Sequence, residues 1–495
     1  MRKKKIIVIG SGFAGLTAAA LLSKQGFDVT VLEKNDQAGG RARVWAKDGF
    51  VFDMGPSWYW MPEVFEQFFN KFGKTTADFY ELKRLDPSYR IFYTENQQMD
   101  VPASVDDLAK IFEGKEKGSG KKLIAFLADA KFKYETALED YVNRVSDSIF
   151  EFFDFKLILK SLQIQLFQSH GSVVRKQFNH PHLISLLEFP VLFLGSTPAN
   201  TPALYSMLNY ADLGLGTWYP MGGMNKIIQA FLKVCKDAGV KIICNEEVTK
   251  IKTEGGNAQQ VITKTKVYDA DVVVAGCDYE HAEQTLLDKD KRQYDTAYWN
   301  SREMSPSSLL FYIGVNKKLP NLKHHNLFFD ADFDKHADEI YNTPKWPSQP
   351  LFYACVPSKT DDSVAPQGCE NLFLLMPLAP GIEDNETFRE KYFNIIIERL
   401  ESRIGEQIRP NIVLKRSYAI NDFVADYHSF KGNAYGLANT LFQTAFLKPK
   451  MKSKKVKNLF YTGQLTVPGP GVPPSIISGQ IVANEIAKLT KKNVL

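Results

Sequence analysis

The stretch Ile6-Ile7-Val8-Ile9-Gly10-Ser11-Gly12-Phe13-Ala14-Gly15 constrains this chain more than any other. Ile6 to Ile9 is a β-branched run of the length that one buried strand of a parallel sheet needs. Gly10, Gly12 and Gly15 follow at G-x-G-x-x-G spacing. In that pattern the first glycine makes a tight turn, the second lets backbone approach a pyrophosphate, and the third lets the next helix pack on the strand. Phe13 and Ala14 open that helix, which is rich in Ala and Leu up to Lys24 and closes at Gly26. A second strand, Val29-Thr30-Val31-Leu32, ends on Glu33 and Lys34. Glu33 stands close to the ~20-residue offset at which an acid takes the ribose hydroxyls of an adenosine. Strand, glycines, helix, strand and acid in this order predict a doubly wound α/β domain that holds a dinucleotide.

Six residues separate Glu33 from Gly40-Arg41-Ala42, and Asp53-Met54-Gly55-Pro56-Ser57 follows. Here the chain resembles the FAD-dependent amine oxidase and carotenoid desaturase superfamily, in which this acid-to-Gly-Arg spacing marks flavin enzymes. Gly39 and Gly40 let the loop lie flat beside a diphosphate, and Arg41 neutralises charge or seats the flavin side. The far end agrees. Asn458-Leu459-Phe460-Tyr461-Thr462-Gly463 reads as a strand ending on glycine, with Gln464 next. Gly469-Pro470-Gly471-Val472-Pro473-Pro474-Ser475 leads into an apolar helix, and prolines cost nothing in its first turn. The resemblance implies that this helix start faces the flavin ring, and that the backbone of Val248 pairs with the adenine.

The block Gly216-Thr217-Trp218-Tyr219-Pro220-Met221-Gly222-Gly223-Met224 is the most specific feature. With Leu194-Gly195-Ser196-Thr197-Pro198, Phe423-Val424-Ala425-Asp426-Tyr427, Gly432-Asn433-Ala434-Tyr435-Gly436 and the Gly/Pro-rich ending, it makes the whole chain similar to the bacterial-type phytoene desaturases. That resemblance implies an FAD-dependent dehydrogenase of a linear carotenoid, phytoene towards lycopene, with hydride passing to flavin N5 and electrons leaving to a quinone or oxygen. A late-pathway 3,4-desaturase acting on a hydroxylated or one-ringed carotenoid carries nearly the same motifs. A flavin amine oxidase is the reading from another class; Gln464 stands where that branch carries an acid, and the Gly216 to Met224 block speaks against it. A prenyl-protein binding module that has lost its flavin is disfavoured by the intact glycines, Glu33 and Arg41. All five cysteines precede the terminal cofactor segment, so FAD is expected to be held non-covalently.

At 495 residues the chain is too long for one simple core. Residues 1–80, 215–290 and 455–495 should form a Rossmann-type FAD-binding domain. Residues 81–100 and 295–450 should form a substrate domain built on an antiparallel sheet, with a helix near Glu386 to Ile404. Residues 101–213 should form a helical, apolar, membrane-facing subdomain. Scattered cysteines without C-x-x-C point to a reducing compartment, and Met1 to Lys5 runs straight into the first strand, as in a chain without a signal peptide. No apolar run reaches the ~20 residues of a spanning helix, so a cytoplasmic protein in peripheral membrane contact is expected. The basic runs Lys448 to Lys457 and Lys115 to Lys122 are either solvated loops or contacts to anionic lipid, worth about 1 kcal/mol per residue. Nucleic acid is not expected as a partner, since no aromatic-interleaved basic groove or recognised module accompanies the net charge of +5.

Dehydrogenating an unactivated allylic C–C bond leaves positive charge on carbon, which aromatic faces stabilise. Trp58, Tyr59, Trp60, Trp218 and Tyr219 adjoin cofactor motifs and are candidates for the substrate wall, with interface packing the alternative for each. Asp154, embedded in Phe152-Phe153-Asp154-Phe155, is the candidate catalytic carboxylate, because burial would raise its pKa; a surface pair with Lys156 or Lys160 is the alternative. Asp212 is a second. His180, His182, His324 and His325 read as loop residues, and no metal-ligand spacing appears.

Overall fold

A computed structural model of the chain describes residues 2–94, 97–141, 165, 168–440 and 443–495. Lys5–Ile9, Asp28–Leu32, Lys241–Ile243, Val272–Ala275 and Leu459–Tyr461 form one parallel sheet. Taken in chain order, these strands lie fifth, fourth, first, second, third across the sheet. This is a doubly wound order, and its ligand crevice opens where the order reverses, between the first and fourth strands. Ile6 to Ile9 are buried on both faces, which explains their unbroken apolar run. Helix Phe13–Lys24 is wedged between the sheet and helix Val472–Lys491. The two helices approach so closely that a Cβ on Gly479 would stand 2.4 Å from the Ala14 carbonyl oxygen.

A three-stranded antiparallel sheet, Val248–Glu254, Asn257–Thr263 and Val267–Asp269, is inserted before the fourth strand. A seven-stranded sheet lies beyond it. Across that sheet run Ile412–Tyr418, Ser307–Val315, Glu370–Leu378, Phe352–Cys355, His325–Phe328, Tyr89–Phe92 and Gln98–Val101. One face packs on helix Glu386–Ile404 through Tyr392, Phe393, Ile396, Ile397 and Leu400. The expected all-antiparallel sheet is corrected here: His325–Phe328 runs parallel to Tyr89–Phe92. These strands come from distant parts of the chain, so no hairpin forces them to reverse.

Helices Val105–Lys115, Ser119–Thr136, His170–Gln177 and Pro181–Glu188 cover the other face. Leu183, Leu186 and Leu187 are fully buried, so that stripe is core. Asp154 and its aromatic neighbours lie outside the described residues. No described helix is long and apolar enough to cross a membrane. Two other expectations change. His182 lies inside a helix with its ring stacked on Tyr93, and His325 is a buried strand residue, so neither is a loop residue. Part of the basic run 448–457 is buried as well: Lys448, Met451, Ser453 and Val456 point inward, and Lys452 bridges to Phe460. A segment stitched to an edge strand has to bury alternate side chains, whatever its composition.

Candidate functional site

Three glycines shape the crevice. Gly10 has φ +94°, and a Cβ on Gly15 would stand 2.1 Å from the Gly10 carbonyl oxygen. Gly12 is the N-cap of helix Phe13–Lys24, with no side-chain cap and no acid in the first turn. Nothing lies within 4 Å of where its side chain would begin, whereas a Cβ on Gly40 would stand 3.2 Å from the Gly12 Cα. A bare helix N-terminus therefore faces a space walled by the Gly39-Gly40 loop. Gly463 closes the far side: its N–H donates to Ser478 Oγ at 2.9 Å, and it abuts Ala14. Phe13 is buried edge-on against Phe231 and serves the core.

Glu33 is 5% exposed. One of its carboxylate oxygens accepts from Ser11 N–H (2.9 Å) and Ser11 Oγ (2.6 Å), the other from Asn35 N–H (2.9 Å) and Asn35 Nδ2 (3.1 Å). All of its strong acceptor positions are taken, so a ribose hydroxyl has to displace the Ser11 hydroxyl or the Asn35 amide. Lys34 donates to the Ala425 carbonyl, and Asn35 Nδ2 to that of Asp426, tying this corner to helix Ile420–Tyr427. Val248 opens the inserted sheet opposite Thr263, close beyond the Glu33 corner, where the Glu246 N–H donates to the Glu33 carbonyl.

Arg41 is buried. Its Nη2 donates to Ser429 Oγ (3.0 Å) and the Asn433 carbonyl (3.1 Å), and Tyr427 stacks beneath it at 4.9 Å. Burial lowers its pKa, opposed by Tyr427 and Asp278, and its Nε has no hydrogen-bond partner among the described residues. Asn433 also accepts from Gln464 Nε2 (3.1 Å) and the Gly436 N–H (2.7 Å). The Gly432 to Gly436 motif thus splices Arg41 to Gln464, a role its sequence did not announce. A Cβ on Gly55 would stand 2.6 Å from the Arg41 carbonyl oxygen, so Gly55 and Pro56 run tight against the Arg41 loop. Asp53, just before them, accepts from Met224 N–H (2.7 Å) and Asn225 N–H (2.9 Å), capping helix Asn225–Asp237 from a distant segment. The Asn225 amide in turn donates to the Ala42 carbonyl at 3.0 Å.

After Ser57 the backbone is extended, so Trp58 and Trp60 share one side, 5.3 Å apart, while Tyr59 turns into the core. Trp58 stacks on His325 at 4.2 Å and 10°. His325 Nδ1 is bonded to Tyr353 Oη (2.6 Å), whose hydroxyl donates to Ser57 Oγ (3.0 Å). Burial and His324 hold the His325 pKa well below its ordinary value, so the ring behind Trp58 is uncharged. Trp60 Nε1 donates to Thr217 Oγ1 (2.9 Å), which donates to Asp212 (3.2 Å); Tyr89 Oη, under Trp58, donates to Asp212 at 2.7 Å. Burial pushes the Asp212 carboxyl up to about 7. Trp218 donates to the Leu215 carbonyl at 3.0 Å with Arg84 over its ring. Tyr219 is core, bonded to Asp361 and packed on His324. The structure therefore brings Trp58, Trp60 and Asp212 together and leaves Tyr59 and Tyr219 out. His324, His325 and Cys355 also place one ligand-type atom each within 4.8 Å of one another, a cluster invisible in sequence because Cys355 comes from the adjacent strand.

A family model described as flavin containing amine oxidoreductase matches residues 13–487. The chain belongs to this family. It is 41% identical over 484 residues to a carotenoid 3,4-desaturase of Haloarcula japonica, covering 97% of each chain. It is 31% identical to a zeta-carotene-forming phytoene desaturase of Myxococcus xanthus, over 98% of this chain and 94% of that one. These relatives place it in the carotenoid desaturase branch. An oxidoreductase from Methanosarcina mazei shares the fold, with TM-score 0.64 at 17% identity over 97% of this chain and 100% of that one.

As a flavin-containing amine oxidoreductase the protein is an FAD-dependent oxidoreductase. The crevice fits that cofactor. The open space at Gly12, the uncapped helix start and the orphaned Arg41 Nε await an anionic partner. Val472 and Pro473, in the first turn of helix Val472–Lys491, likewise carry no cap and no acid.

Proposed function

We propose that the protein is a carotenoid 3,4-desaturase, removing two vicinal hydrogens from the end of a hydroxylated or one-ringed polyene. The reading rests on its 41% identity to a carotenoid 3,4-desaturase along 97% of both chains, against 31% to a phytoene desaturase. Phytoene-to-lycopene desaturation is the second reading, favoured by that phytoene-desaturating relative. Bound FAD supplies the hydride acceptor, held non-covalently, and a quinone or oxygen then takes the electrons.

The residues of the chain do the rest. Gly12, Gly40, Arg41, Val248 and Gly463 hold the cofactor, and Gly55-Pro56-Ser57 leads from it to the wall. Trp58 and Trp60 present ring faces to the polyene and stabilise positive charge on its carbon as hydride leaves. The neutral His325 keeps a competing charge away from Trp58. Asp212, with Tyr89 and Thr217 on its oxygens, offers negative charge behind both rings and takes up the vicinal proton through the Tyr89 hydroxyl. Peripheral membrane attachment would bring the hydrocarbon to this wall. Ile124 (44% exposed) and Phe132 (41%), on helix Ser119–Thr136 among lysines, are suited to it.

Expression in bacterial strains that accumulate phytoene, lycopene or hydroxylated lycopene derivatives tests the reading. A longer-wavelength pigment from the late intermediates with phytoene untouched is expected. Lycopene appearing in the phytoene strain would transfer the assignment to the second reading.

A further inference from the structure

We infer that Lys448 and Asn439 hold the pyrimidine edge of the FAD ring against the start of helix Val472–Lys491, and that Lys448 tunes the reduction of that ring. Lys448 is 3% exposed, and its side-chain nitrogen has no hydrogen-bond partner among the described residues. Burial alone lowers its pKa, to about 7, with no carboxylate opposing the shift. An unpaired cation buried this way is strongly unfavourable, so a chain that keeps one has a partner for it in the loaded state. Asn439, 2% exposed, has an Oδ1 that likewise accepts no hydrogen bond from the described residues. Both groups face Gly469: a Cβ there would stand 3.3 Å from Lys448 Nζ and 3.2 Å from Asn439 Oδ1.

Gly469 lies between Gly463, at the cofactor crevice, and Gly471, the N-cap of the 20-residue helix. That helix start has neither side-chain cap nor acid. Among the described residues two positive features thus converge without an anion, beside one free acceptor. A diphosphate offers only acceptors and would leave Asn439 Oδ1 unsatisfied. The adenine edge belongs at the Glu33 end of the sheet. The flavin's C=O/N–H edge matches a donor beside an acceptor, and it is where charge collects when the ring is reduced. Lys448 then favours the reduced form more than the oxidised one.

The inference depends on FAD and not on which carotenoid is oxidised, so an enzyme inert to every carotenoid leaves it testable. The experiment measures the midpoint of the bound flavin by equilibration with a reference dye during slow reduction of the holoprotein. In Lys448→Met the reduction equilibrium constant is expected to fall tenfold or more, about 30 mV for a two-electron couple. Lys448→Arg should recover most of the loss, and Asn439→Ala, which removes an acceptor and no charge, should move it less. A midpoint within twofold of wild type in Lys448→Met with FAD bound would overturn the assignment. Should that variant release its FAD, an unchanged midpoint in Asn439→Ala overturns it equally.

Discussion

The cofactor cradle and the aromatic wall share the segment from Asp53 to Trp60 yet are built by different means. The cradle is backbone: its dimensions come from glycines at which a Cβ would meet main-chain oxygens at 2.1–2.6 Å, as at Gly15, Gly55 and Gly479. The wall is side chain: Trp58, Trp60 and Trp218 are half-buried rings steered by single hydrogen bonds and stacking. A site made of backbone admits no gradual change. A site made of side chains can be retuned one ring at a time, and relatives named for different carotenoid reactions share this chain's length.

The largest effect should come from Gly15→Val. Its side chain enters occupied space, costing above about 4 kcal/mol, and a thermal melt should show no cooperative FAD-bound transition. A variant melting near wild type with FAD would break the contrast. Glu33→Ala comes next. It strands the Ser11 and Asn35 N–H groups and would also lose the proposed ribose contact, so FAD affinity should drop 10- to 100-fold by flavin-fluorescence titration, roughly 1–3 kcal/mol.

Asp212→Asn sharpens the wall side. With the carboxyl at about 7, turnover in wild type should rise with pH through neutrality as the base forms, and the substituted enzyme should lose that limb. The linkage runs the other way. Asp212 binds its proton more tightly folded than unfolded, so it adds most stability below pH ~4, its unfolded value, and loses that contribution as pH rises towards 7. Unchanged pH profiles in the substituted enzyme would remove Asp212 from the reaction. The smallest effect belongs to Trp60→Phe, which keeps the ring face but loses the bond to Thr217. A two- to tenfold fall in kcat/KM is expected, about 0.4–1.4 kcal/mol, with FAD affinity unaltered.

This contrast also explains what could be read from the amino-acid string. Backbone constraints leave a signature in which residue must be glycine and where a strand must be β-branched, so the first strand, its helix and the Glu33 corner were legible. Helix Glu386–Ile404 was legible because its apolar residues recur at helical spacing. Pairing between distant strands was not, which is why the parallel contact of His325–Phe328 with Tyr89–Phe92 escaped. Lys448 escaped for another reason. Lysines in a row read as surface, and only the bridge from Lys452 to Phe460 shows that this segment turns inward. Asp212 was discernible only as a weak candidate, because the Tyr89 and Thr217 hydroxyls that define it sit 123 and 5 residues away.

The parallel sheet has a consequence for how the protein comes into being. Its first strand is flanked by Val272–Ala275, which in turn leans on Leu459–Tyr461, and the first helix is covered by Val472–Lys491. A ribosome making this chain releases the dinucleotide fingerprint long before its covering helix. Through most of synthesis the N-terminal glycine turn has no complete crevice around it, and long-range closures of this kind are slow. Flavin loading would therefore be expected to follow synthesis, and a chain stopped short of residue 459 to emerge without cofactor.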